Sequence, residues 1–307
     1  MKKNFLLVFA LSACILTGCK KTNSTDSANR ESDTTTVDSI AADTTASEVV
    51  TPQKDTFATI KKSNRLRSKD VDEDLGGYLF SDNEVKLSWP TGLRDCKSIE
   101  PLQKALLKEA FDYTKDVNVE TAVQNYLNEP AFTNENGKAP ACVPAKQGET
   151  NEECMSCNYT KSVFVYPKTD SPTLTTYCIY KYSFTGGAHG MYTESYVVFD
   201  RVGGRIMTDR MFTNVRNASL LNVVNQQIKA ESRIKKEPLG AASKLSQYYP
   251  DAKGMVFVFQ PYEIASYAQG LITIVVPYSK LESFFTPEFK EMIKDSSTFK
   301  TLNSPFK

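Results

Sequence analysis

The order and period of the apolar residues predict an α+β fold, a mainly antiparallel β-sheet packed by helices behind a polar N-terminal segment. Three observations carry this expectation. Leu174, Thr176, Cys178, Tyr180, Tyr182 and Phe184 alternate along one face of a strand, with Thr175, Lys181 and Ser183 on the other. A second β-branched and aromatic segment, Met191 to Phe199, follows a glycine cluster, and Asp200-Arg201-Val202-Gly203-Gly204 supplies the next turn of a three-strand meander. Helical periods flank this meander: Ile99, Leu102, Leu106, Ala110, Tyr113 and Val117 before it, Leu220, Leu221, Val224, Ile228 and Ile234 after it.

Between the two alternating segments lies Thr185-Gly186-Gly187-Ala188-His189-Gly190, which holds the only histidine of the 307-residue chain. Glycine tolerates positive φ and close approach, so this stretch reads as an open hairpin tip.

At the N-terminus, Lys2 and Lys3 precede an apolar run from Phe5 to Leu16, too short for a mature membrane span and suited to a signal peptide over residues 1–18. The run ends in Leu16-Thr17-Gly18-Cys19, which resembles a bacterial lipobox and makes Cys19 the expected lipidated first mature residue. Acyl chains would then hold the protein to a bilayer without spanning it. Residues 19–70, rich in Thr, Ser, Asp and Ala, are expected to form a disordered tether. A flexible linker of about 50 residues has a root-mean-square span on the order of 40 Å. The alternating Asp70, Asp72 and Asp74 start like a calcium loop, but Leu75 and Ser81 occupy the positions that need glycine and glutamate, so no metal site is assigned. The formal charge of +1 falls to about −1 once Lys2 and Lys3 are removed, which disfavours nucleic acid as a partner.

The remainder divides into an N-terminal α+β part, residues 71–159, and a second α+β domain, 160–307. Val85 to Trp89 reads as a strand stopped by Pro90, Ser98 as the N-cap of the first helix, and Val119 to Leu127 as a shorter helix ending near Glu129-Pro130. A long polar stretch from Thr133 to Thr160 carries Cys142, Cys154 and Cys157, and an exported protein favours a disulfide among these three, with Cys178 a buried thiol. Asn217 or Ser219 caps the helix that ends before Pro238. Met255 to Phe259 and Leu271 to Val276 are strands around a short helix at Tyr262–Gly270, and short helices close the chain.

Two stretches carry a family resemblance. Tyr182-Ser183-Phe184-Thr185-Gly186-Gly187-Ala188-His189-Gly190, followed by Phe199-Asp200 and Met211-Phe212, resembles the glycine-glycine-alanine-histidine signature of the domain of unknown function 3298. That domain also occurs in the extracellular part of the lysozyme-sensing anti-sigma-V factor. Phe257-Val258-Phe259-Gln260-Pro261-Tyr262-Glu263-Ile264-Ala265, through to Pro277-Tyr278-Ser279, is similar to the same family's C-terminal pattern. The resemblance covers roughly Thr160 to Phe285. Trp89 to Phe132 is more loosely similar to the partner domain that precedes it in some peptidoglycan deacetylases. The resemblance implies an extracellular α+β module near the cell wall, usually without catalysis of its own. Anti-sigma signalling does not carry over, because no apolar segment after Cys19 is long enough to span a membrane, and a single histidine cannot supply a deacetylase metal site.

These readings lead to an exported, lipid-anchored protein at the outer membrane or periplasmic face, without a cofactor, that binds peptidoglycan, another glycan or a lysozyme-like protein. Tyr180, Tyr182, Tyr192, Tyr196, Tyr262 and Tyr267 are candidate sugar-stacking rings, and Tyr182, Gly186, Gly187, His189 and Tyr192 form the candidate ligand site. The alternative is a hydrolase or deacylase of wall polysaccharide in which His189 works with Glu194, Asp200, Asp209 or Glu263. No Gly-x-Ser-x-Gly elbow, metal motif or phosphate loop supports a catalytic assignment. A structural role in envelope assembly is the third possibility.

Overall fold

The computed structural model describes residues 53–113, 117–133, 137–150 and 154–306. The signal peptide, Cys19 and the first part of the expected tether lie outside the described residues. From Thr56 onward the tether expectation is corrected, because Thr56–Asp72 is the first strand, β1. Its sequence hides this: polar residues dominate it, and only Leu66 and Ser68 are buried. Backbone pairing to β2 (Gly77–Gly92) holds it instead, from Phe57↔Pro90 to Arg67↔Phe80. Asp72 and Gly76 close the turn between these strands, with the Asp72 carboxylate accepting from the Leu75 N–H at 2.9 Å. Pro90 does not stop β2. It sits beside a register shift in the pairing with β1, where a missing N–H is tolerated.

Two helices follow, α1 (Glu100–Phe111) and α2 (Val119–Asn128). The first begins one residue later than expected, with Ile99 at the cap position, and ends where Asp112 turns left-handed, leaving Tyr113 and Val117 in the connection. Asn118 caps α2 by accepting from the Thr121 N–H. After β3 (Cys142–Pro144) and a 3-10 turn at Met155–Cys157 come β4 (Asn158–Asp170), β5 (Leu174–Phe184), β6 (Met191–Asp200) and β7 (Arg205–Ile206). Then come α3 (Ala218–Lys235), capped by Asn217, and β8 (Gln247–Asp251), β9 (Gly254–Phe259) and β10 (Ile272–Val276). The chain closes with α4 (Pro287–Met292) and β11 (Lys300–Thr301).

One sheet runs β3-β1-β2-β4-β5-β6-β7, with β11 added beside β4; β10-β9-β8 form a second sheet. Every pairing is antiparallel except β2 with β4. The division expected at 159/160 falls inside β4, and the large sheet continues across it. The two faces of that sheet bury separate cores. On one, Val85, Leu87, Val163, Val165, Tyr177, Ile179, Val197 and Phe199 pack under α1 and α2. On the other, Tyr166, Cys178, Tyr196 and Val198 meet the second sheet and α3. This second layer covers only part of its face. Toward the β5–β6 turn the even-numbered residues continue as Phe164, Tyr180, Tyr182 and Tyr192, which remain partly exposed.

Two polar clamps fix the frame. Asn83, buried in β2, donates to the carbonyls of Leu127 (2.9 Å) and Glu129 (2.8 Å), satisfying the end of α2. Arg201, 1% exposed at its side chain, bonds both oxygens of Asp55 (2.8 and 2.7 Å) and also the Asp170 carboxylate, tying the entry of β1 to the meander.

Candidate ligand site at the glycine-histidine hairpin

The tip joining β5 to β6 is built as its glycines require. Gly186 and Gly187 take φ of +90° and +96° with open space where a side chain would project, and Gly190 lies against the Tyr182 ring so closely that a Cβ would overlap it. Register pairs Tyr182 with Tyr192 across the hairpin. The five residues expected to form the site, Tyr182, Gly186, Gly187, His189 and Tyr192, are therefore gathered at one end of one hairpin.

His189 is held by residues from a distant loop. Its Nδ1 faces the Gly190 carbonyl at 3.0 Å, and its Nε2 the Tyr262 hydroxyl at 3.2 Å. Its ring lies on Tyr267, with centroids 3.8 Å apart and planes inclined by 17°. Tyr267 also donates its hydroxyl to the Gly190 carbonyl (2.5 Å) and meets the edge of Tyr192 (5.9 Å). Tyr267 opens a 3-10 turn, Tyr267–Gln269, whose capping box is made by Ser266 and Gln269. Gln260 places the start of this loop by reading the backbone of β6, accepting from the Glu194 N–H (3.0 Å) and donating to its carbonyl (2.8 Å). Two residues on, Tyr262 adopts φ of +72° and leaves its side chain outward, 59% exposed. Left-handed backbone is costly for a bulky residue and is often kept where a side chain must be aimed.

The aromatic surface continues across the sheet. Tyr192 and Tyr180 are nearly parallel at 6.0 Å, Tyr180 and Phe164 at 5.5 Å, and the Lys86 ammonium stands 4.9 Å from the Phe164 ring. Burial, followed by the neighbouring tyrosines, pushes the Tyr180 hydroxyl above its usual pKa, so it stays a neutral donor and acceptor. Tyr196 does not belong to this surface: it is 3% exposed and donates to the Glu194 carboxylate below it.

The carboxylates proposed as partners for His189 are engaged elsewhere or lie apart from it. Glu194 receives Tyr196, Glu263 accepts from the Gln260 N–H at 2.7 Å, and Asp200 binds the Gly203 N–H and Arg205 at the far end of β6. Asp209 lies in a 3-10 turn beyond β7. The cysteine expectation resolves as a Cys154–Cys157 bridge, with Cys142, in β3, and Cys178 as free thiols. Sequence reasoning missed Gln260 and Phe164 as parts of the site. A glutamine two residues before a tyrosine carries no periodic signal, and Phe164 sits in a run apolar at every position.

The family model described as "Protein of unknown function (DUF3298)" matches residues 209–279. This stretch begins after the glycine-histidine hairpin but includes the Tyr262–Tyr267 loop. Among solved structures, a DUF3298 family member from Bacteroides fragilis is similar, with TM-score 0.56 and 19% identity over 78% of this chain and 98% of that one. A DUF3298 family protein from Pseudomonas aeruginosa PAO1 gives TM-score 0.51 and 13% identity over the same shares. At these identities the likeness is one of fold. No curated protein matches the chain. Residues 209–279 thus match the DUF3298 family model, within an α+β fold that resembles those of other proteins of that name.

Proposed function

We propose that this protein is a lipid-anchored envelope module that binds peptidoglycan or a related glycan without transforming it, through the ring cluster around His189. The observation that carries the reading is the clasp itself: an outward Tyr262 on left-handed backbone, an exposed His189 and a partly exposed Tyr267, continued by Tyr192, Tyr182 and Tyr180. Tyrosines offer an apolar face and a polar edge, the combination that suits sugars, and their few rotatable bonds keep the entropy of ordering low. The surface is an open sheet face, fitting an extended polymer better than a small enclosed substrate. Both nitrogens of His189 are already directed at a carbonyl and a phenol, so the hydrolase alternative gains no support from its geometry. Anchoring through Cys19 would place this face among wall polymers.

The test is co-sedimentation of the purified folded part with insoluble peptidoglycan, beside capture on immobilised lysozyme. Saturable retention on peptidoglycan that falls on Tyr262→Ala is expected. Retention on lysozyme alone would move the assignment to a protein ligand, and release of soluble sugar from peptidoglycan would replace binding by catalysis.

A further inference from the structure

A second surface lies on the opposite face of the large sheet, at its β1 edge. β3 pairs with β1 only at Leu66, Arg67 and Ser68, with flanking bonds from Ala145 N–H to the Arg65 carbonyl (3.0 Å) and from Lys69 N–H to the Ala141 carbonyl (2.9 Å). The outward backbone groups of β1 there belong to odd-numbered residues. By alternation, those of Phe57, Thr59, Lys61 and Ser63 share the same edge, and they have no strand partner among the described residues. The even-numbered Ala58 and Ile60 point to the helical face, where with Trp89, Thr91 and Leu107 they line a groove of about 950 Å³ beside α1 and α2. An open edge and a groove for alternate side chains are the two requirements of strand addition.

Charge selects the occupant. Lys61 and Lys62 are exposed on the edge strand, and no ion pair engages either among the described residues. On the groove rim Lys108 adds a cation and Glu120 an anion, while Glu100 is paired with Lys104 at 2.9 Å. A second copy of the chain pairing through β1 would gather the Lys61 and Lys62 side chains of both copies at one junction, which opposes association. We infer that the Phe57–Ser63 edge of β1 docks an extended acidic peptide of a partner protein by strand addition. Its apolar residues enter the Trp89 groove on the face of Ala58 and Ile60, and its carboxylates, on the other face of the added strand, meet Lys61. This site is separate from the His189 cluster, and its failure would leave the glycan reading untouched.

Trp89 is the only tryptophan and lines the groove, so its emission reports occupancy. The full chain is titrated with the blocked hexapeptide Glu-Val-Glu-Val-Glu-Val and with its lysine counterpart. A saturable emission change with the acidic peptide only is expected. Thr59→Pro removes an outward N–H without touching the ladder to β2, and should weaken binding about tenfold or more. N-methylation of alternate peptide amides should do the same with the protein unaltered. The inference is overturned by no saturable change, by equal response to the lysine peptide, by binding that survives N-methylation, or by a dimer in sedimentation that buries this edge.

Discussion

The imidazole of His189 lies flat on the phenol ring of Tyr267, 3.8 Å between centroids, although β6, β7, α3, β8 and β9 separate them in the chain. This contact joins the two sequence stretches that carry the family resemblance. The hairpin alone would be a bare turn of glycines, and the Tyr262–Gly270 loop alone a short surface excursion. Docked by Gln260 onto β6, they make one surface.

Tyr262 provides a test that separates stability from recognition. Its left-handed backbone costs an ordinary residue roughly 1–2 kcal/mol and glycine almost nothing. Tyr262→Gly is therefore expected to unfold within about 1 kcal/mol of wild type in urea while losing most peptidoglycan retention. A loss of more than about 2 kcal/mol with retention intact would make Tyr262 a structural peg.

Asn83 carries the opposite expectation. Replacing it by Ala strips two N–H donors from carbonyls at the end of α2, one of which Asn64 also reaches at 3.2 Å, and should cost about 1–2 kcal/mol in denaturant unfolding, without changing ligand retention.

How much of this was legible beforehand follows from burial. The Asn217 cap, the β5–β6 hairpin and the strands β9 and β10 follow from helical period, turn chemistry and apolar runs bounded by turn residues. β1 was hidden, since Lys62 and Asn64 interrupt the even-numbered series Ala58, Ile60 and Leu66, so no sustained apolar alternation marks it. β4 was hidden for the converse reason: Val163, Phe164, Val165 and Tyr166 are packed on both faces, so no period marks them. The site residues on the hairpin were readable from glycine chemistry. Their partners were not, because contact between His189 and the Tyr262 loop is created only by tertiary folding.

Asp55 should make acid stability depend on a single clamp. Burial works against its ionisation, but the hydrogen bonds from Arg201 and from the Arg94 backbone outweigh it and hold the carboxyl below its usual range. A depressed folded pKa contributes stability above the unfolded value near 3.9, and that contribution is lost as pH falls through the folded value. Asp55→Asn is therefore expected to lower the urea midpoint at neutral pH, with the gap to wild type closing below about pH 4. A gap independent of pH would contradict the clamp.

The thiols should differ in reactivity. Burial pushes the Cys178 thiol far up, and burial also raises Cys96, both in closed surroundings, while Cys142 is raised but only half-buried. Alkylation of the native folded part followed by mass spectrometry should modify Cys142 first, with Cys154 and Cys157 appearing only after reduction. Rapid native labelling of Cys178 would contradict the packing described between the two sheets.

The chain's single histidine makes its central claim directly measurable. In a titration with soluble peptidoglycan fragments, the one imidazole Cε1–H resonance of His189 should move saturably, in step with the binding isotherm. Binding by calorimetry with that resonance unmoved, or no binding at all, would contradict the claim that the His189 cluster is the recognition surface.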